Sequence, residues 1–191
     1  MPLALNDFVS PVDVVSTATA FLGSIDLDPA SSEFAAPIVG AQKYFTSSDA
    51  GLTQTWKAKT VYLYPPRDVL TSSEQPSERW LFKKKKRFQK SAQRVWLEES
   101  IQKYKKGEFE EAIVFLTSTE VALLVTQKLE LDLPMCVMKE RPALLQDEEG
   151  TPRLSTPRCY GFIFYIPSPF NTEDRIHRFF EVFSELGRVY I

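Results

Sequence analysis

The groups with the types and spacing to do chemistry lie between residues 23 and 67. Asp26 and Asp28 flank Leu27 and lead into Pro29-Ala30-Ser31-Ser32. Asp49-Ala50-Gly51-Leu52 follows, and Tyr64-Pro65-Pro66-Arg67 closes the stretch. Short apolar runs at 23–27 and 60–64 end where these polar residues begin, and open α/β sheets bind ligands beyond the carboxyl ends of their strands. A carboxylate in that position accepts hydrogen bonds from ligand amino or hydroxyl groups, and small neighbours let the ligand approach the backbone. For Asp28 the alternative is an Asx turn capping Ser31 and Ser32; for Asp49 it is a solvated turn anchored by Trp56 in the core. With one histidine, His177, and two cysteines, Cys136 and Cys159, that lack Cys-x-x-Cys spacing, no metal site is expected.

The order of these pieces resembles a known family. Ser10-Pro11, Leu22-Gly23, Asp26-Leu27-Asp28-Pro29-Ala30-Ser31, Tyr44-Phe45-Thr46, the run from Asp49 through Gly51-Leu52-Thr53-Gln54 to Trp56, and a strand ending in Pro65-Pro66 look like the phage-type Dam family. Its members are S-adenosylmethionine-dependent DNA adenine N6-methyltransferases. The likeness continues through Trp96 to Leu116 and the closing Phe164-Tyr165-Ile166-Pro167 and Arg178-Phe179-Phe180, so it covers most of the chain. It implies S-adenosylmethionine as cofactor and DNA as partner. It further implies a cofactor site at Ser10, Pro11, Asp26, Asp28, Pro29 and Asp49, with Asp28 ahead of Asp26, and a catalytic loop at Tyr64, Pro65, Pro66 and Arg67. Leu52 and Trp56 would then pack on the adenine face.

The chain departs from the family where the chemistry is concentrated. Such enzymes carry Asn/Asp-Pro-Pro-Tyr, in which the first side chain accepts from the adenine amino group and the aromatic stacks on the flipped base. Here Tyr64 offers no carbonyl at that radius and Arg67 stacks only as a cation. Ala50 also stands where relatives carry a second aspartate. Relatives come soon after the proline pair to the helix containing Trp96, so residues 68–94 read as an insertion. In its second half a helix over 79–94 would gather Arg79, Lys83, Lys86, Arg87, Lys90 and Arg94 on one face, suited to phosphate contact, with a merely solvated face as the alternative. Residues 78–107 carry eleven basic and three acidic groups, in a chain with a formal net charge of −2.

These residues need a scaffold. Apolar spacing at Val14, Val15, Ala18, Phe21 and Leu22 predicts a helix capped by Ser10, opened by Pro11 and stopped at Gly23. Strands are expected at 24–27, 60–64, 112–116, 135–138, 160–166 and 188–191. Helices are expected at 99–106, 120–131 and 173–186, and a polar loop at 139–157. This succession predicts a single α/β domain over 1–191 with a Rossmann-like methyltransferase fold: a mainly parallel sheet, helices on both faces, and possible antiparallel members near the end. Aromatics make up 13% of the chain, enough for a sizeable core. Without an 18-residue apolar run or a basic, then apolar, start, the expectation is a cytoplasmic protein with no membrane partner. Three functions stay open: adenine methylation in DNA, a non-catalytic DNA-binding or regulatory homologue, and methylation of another substrate such as RNA.

Overall fold

The computed structural model describes residues 8–67, 91–128, 132–148, 151–156 and 158–191. The chain opens with β1 (Phe8–Val9) and α1 (Val12–Leu22), then β2 (Leu27–Asp28), α2 (Ala36–Val39), β3 (Lys43–Tyr44) and β4 (Thr60–Leu63). It continues through α3 (Ala92–Lys105), β5 (Glu111–Leu116), α4 (Thr119–Lys128) and β6 (Met135–Met138). A hairpin of β7 (Leu144–Glu148) and β8 (Thr151–Ser155) precedes β9 (Phe162–Ile166), α5 (Thr172–Phe183) and β10 (Gly187–Tyr190).

A seven-stranded sheet has the order β10-β6-β9-β5-β4-β2-β3. The pairings β3/β2, β2/β4 and β4/β5 are parallel, whereas β5/β9, β9/β6 and β6/β10 are antiparallel. The sheet is therefore mixed rather than mainly parallel. The cause is the connection: β6 ends at the carboxyl edge, the β7–β8 hairpin starts and finishes there, and without a crossover helix β9 has to run back. The expected loop at 139–157 is that hairpin, and β1 pairs with β7 to make a second, three-stranded sheet.

Side-chain alternation divides the core between the two faces of the large sheet. Val61, Leu63, Ala112, Val114 and Leu116 pack with Trp96, Leu97 and Ile101 of α3 and with Val121 and Val125 of α4. Tyr62, Tyr64, Ile113 and Phe115 face Val14, Ala18 and Phe21 of α1 and Phe179 and Phe183 of α5. Helices thus cover both faces. From β2 the chain moves outward to β3, then returns past β2 to β4 and onward to β5, so strand order reverses between β2 and β4. Ligands bind at such a switch point in open α/β sheets.

Three local expectations shift. Helix α1 has Pro11 as its N-terminal cap, with no side-chain cap, so Ser10 does not cap it; Gly23 ends it at φ 86°. The strand expected at 24–27 is confined to Leu27–Asp28; Asp26 before it still bonds through its backbone to Thr60 and Lys43, and its carboxylate accepts from the amides of Lys59 and Thr60 at 2.9 and 3.3 Å. A helix running unbroken over 79–94 is not formed: Ser91 is extended (φ −60°, ψ 152°) and caps α3 by accepting from the Arg94 amide at 3.4 Å. The remainder of that expected helix, with Arg79, Lys83, Lys86, Arg87 and Lys90, lies outside the described residues. No helix among the described residues is long and apolar enough to cross a membrane.

Candidate functional site

At the switch point β2 and β4 deliver Asp28 and Tyr64 to one small cleft. Ser10, Asp28, Tyr62 and Tyr64 supply its polar atoms, while Phe8, Val9, Ala35 and Val39 are among its apolar walls. The cleft is partly open and its volume is ≈ 20 Å³, enough for one polar group or a water rather than a whole nucleoside. Ser10 arrives from the link between β1 and α1. Tyr62 and Tyr64 arrive together because residues two apart on a strand share a face.

Asp28 is 4% exposed. Its Oδ1 accepts from the Ala30 amide at 3.2 Å, which is the Asx turn, but a carboxylate has further acceptor capacity. Burial pushes its pKa up to about 6, with Ser31 and the Ala30 amide pulling the other way. The loop after it is braced by the Phe45 amide on the Asp28 carbonyl at 3.0 Å and the Ser31 amide on the Phe45 carbonyl at 2.8 Å. At neutral pH the group is mainly an ionised acceptor held out of water.

Around it the hydroxyls are unsatisfied. Ser10 lies near Tyr62, Ser31 near Asp28 and Tyr64 near Thr117. Yet the buried oxygens of Ser10, Ser31, Tyr62 and Tyr64 close no hydrogen bond of good geometry. Buried polar groups are nearly always paired, so a cluster of four beside a buried carboxylate calls for a polar guest. Burial raises the pKa of both tyrosines, so they stay protonated, able to donate and unsuited as bases. The arrangement binds and orients a hydrogen-bonding group.

The other expected residues are placed as follows. Pro29 is buried behind the cleft, its carbonyl against Gly51, where an added Cβ would stand 2.0 Å from the oxygen. Pro11 is buried at the start of α1. Asp26 is committed to the amides of Lys59 and Thr60 and does not line the cleft. Asp49 is exposed; its Oδ2 accepts from the Thr46 amide and hydroxyl, both at 2.8 Å, and these bonds hold its carboxyl below the usual range. That is the solvated turn. Trp56 is fully buried, donates from Nε1 to the Gly51 carbonyl at 2.9 Å and stacks on Trp96 at 6.3 Å; Leu52 is buried beside it, so neither meets the cleft. Pro65 is buried and Pro66 exposed; Arg67 is exposed and lies over the Phe8 ring at 5.0 Å. Tyr64 packs on Phe115 at 5.1 Å. Arg94 is ion-paired with Glu98 at 2.9 Å.

Tyr62 is the cleft residue that sequence reasoning missed. Its signal was the alternation along Val61-Tyr62-Leu63-Tyr64, which places it on the same face as Tyr64. Among the described residues no cluster of His, Cys, Asp and Glu is arranged to hold a metal. No family model, curated protein or solved structure matches this chain.

Proposed function

We propose that this chain is a Rossmann-like, S-adenosylmethionine-binding protein of the phage-type Dam kind, acting on adenine in DNA with an impaired methyl-transfer motif. The observation that carries the cofactor reading is the buried Asp28 carboxylate at the switch point, among the unpartnered hydroxyls of Ser10, Ser31, Tyr62 and Tyr64. Helices on both sheet faces and the strand-order reversal between β2 and β4 support the fold assignment. The donor set suits the polar part of the cofactor: Asp28 accepts from an amino group or a ribose hydroxyl, and Ser10 and Tyr62 complete its hydrogen bonds. When bound, S-adenosylmethionine supplies the methyl group. The chain's own task is to hold the two reactants in line and keep water out.

The base-gripping loop is where the chain falls short. Tyr64 packs on Phe115 and offers a hydroxyl in place of a carbonyl, and the exposed Arg67 guanidinium over Phe8 has no acceptor atom, so neither side chain supplies the amine acceptor. Losing such an acceptor costs ~4 kcal/mol of transition-state stabilisation, roughly a thousandfold in rate. Incubation with labelled cofactor and unmodified DNA, followed by nucleoside analysis, should therefore find little N6-methyladenine. Tyr64→Asn with Arg67→Tyr should raise the yield, provided circular dichroism shows that the pocket left under Phe115 is tolerated. Robust turnover by the unchanged chain would contradict the impairment. The same packing of Tyr64 and Arg67 favours, as second reading, a DNA-binding or regulatory homologue without transfer; cofactor and DNA binding with no product even in the double variant would select it.

A further inference from the structure

The loop that should present a stacking aromatic ends in Arg67, but the same sheet edge carries another aromatic. Residues 158–161 lead into β9, which starts at the carboxyl edge beside the end of β5. Within them Tyr160 is 55% exposed. The loop is pressed onto the wall behind Tyr64: a Cβ added at Gly161 would lie 2.3 Å from Met138 Sδ and 3.1 Å from Phe115 Cε2, and the Phe115 ring is 5.1 Å from that of Tyr64.

Cations share this edge with the aromatic. Arg67 follows β4, Arg141 follows β6 and Arg158 precedes β9, so the topology brings all three to one edge, where each is exposed. Burial pushes up the Cys159 thiol next to Tyr160, and Arg67 and Arg141 lie near enough to pull against that rise. None of the three pairs with a carboxylate among the described residues. A lone exposed tyrosine is ordinary. An exposed tyrosine on the same sheet edge as three exposed arginines, near the loop that has lost its aromatic, has the makeup of a single-strand nucleic-acid platform: a ring for a base and guanidinium groups for the phosphates.

We infer that Tyr160 stacks on the unpaired base of a bound nucleic-acid strand and that Arg67, Arg141 and Arg158 hold that strand's phosphates. This rests on the proposed reading of the carboxyl edge as the substrate edge, and it moves the stacking residue from the Pro65-Pro66 loop to the β8–β9 loop.

The test uses the full chain and a short single-stranded DNA carrying 2-aminopurine and an end label, read by anisotropy and by 2-aminopurine emission across a salt series. Each variant is also titrated with S-adenosylhomocysteine. Tyr160→Ala should weaken DNA binding on the order of ten- to a hundredfold with an unchanged salt slope and leave 2-aminopurine bright, while Tyr160→Phe retains both signals. Arg141→Gln and Arg158→Gln should each lower the salt slope by roughly 0.7, and Lys57→Gln, on the opposite edge, should not. If Tyr160→Ala binds and quenches like the parent, or if the parent binds S-adenosylhomocysteine but no DNA, this inference is overturned and the cofactor reading stands. If the parent binds neither, the underlying reading falls with it.

Discussion

Asp28 is a buried carboxylate that the Ala30 amide and Ser31 stabilise less than burial penalises it, and that imbalance can be measured. Its ordinary pKa is 3.8 and burial raises it to about 6 in the folded chain. Between those values the folded state holds the extra proton, so stability falls as pH rises from about 4 and the loss is complete somewhat above 6. A shift of this size corresponds to on the order of 2–3 kcal/mol. Asp28→Asn keeps the Asx turn through its amide oxygen and removes the buried charge. It should melt several degrees higher than the parent at pH 8, at about 2–4 °C per kcal/mol for a chain of this size, and the gap should close near pH 4. An equal or lower melting temperature at pH 8 would make the carboxylate part of the structural framework. A higher melting temperature for Asp28→Asn at pH 8 would fit the proposed binding role, a trade of stability for function.

Elements were legible where local pattern and tertiary demand agree. The stripe Val14, Val15, Ala18 and Phe21 marked α1, and Gly23 and Gly107, both at positive φ, marked the stops of α1 and α3. The β7–β8 hairpin was not legible: Leu144-Leu145 and Leu154 are sparse among charges, and its outer partner β1 lies more than a hundred residues earlier. Asp28 was legible as a strand-end carboxylate. Tyr62 was missed because every residue of β4 is buried, so the alternation that pairs it with Tyr64 does not itself say which face meets a ligand. Gly51 has no positive φ; what it serves is close approach. A Cβ there would meet the Pro29 carbonyl at 2.0 Å, a backbone atom that cannot swing aside. From behind, the turn is fixed by Trp56, whose amide donates to Glu108 at 2.8 Å, and by the buried Lys103, whose Nζ donates to the Gln54 carbonyl at 2.6 Å. Gly51→Ala should therefore cost about 1–3 kcal/mol and weaken S-adenosylhomocysteine binding without lining the cleft, seen as a lower urea midpoint and a poorer titration. Parental affinity in a destabilised variant would uncouple this turn from the Asp28 loop.

Across the whole molecule the edge of the sheet that carries the cleft lies opposite a clamped edge. At the amino edge Arg175 grips Glu111 through two nitrogens, with Nη2 at 2.8 Å from each carboxylate oxygen, lies over Phe21 at 4.3 Å and donates to the Phe21 carbonyl at 3.2 Å. Tyr165 adds a hydrogen bond to Glu111 at 2.8 Å, so α5, α1 and β5 are tied together away from the cleft. The basic segment follows the carboxyl edge in sequence, but not all of its charge is free: Lys103 is buried and Arg94 is paired with Glu98. Replacing Lys83, Lys86 and Lys90 by Gln should lower the salt slope of duplex DNA binding by about three, whereas Arg94→Gln should change it little; a slope indifferent to the lysines would make that run a solvated surface. The proposed function requires the switch-point cleft to take the polar end of an adenosyl cofactor. Calorimetric titration of the parent and of Asp28→Asn with S-adenosylhomocysteine at pH 8 tests that most directly. The account predicts saturable binding by the parent and an affinity lower by about ten- to a hundredfold in a variant that is at least as stable, the range for a hydrogen bond to a charged group. No heat from the folded parent, or equal affinity in both, would contradict it.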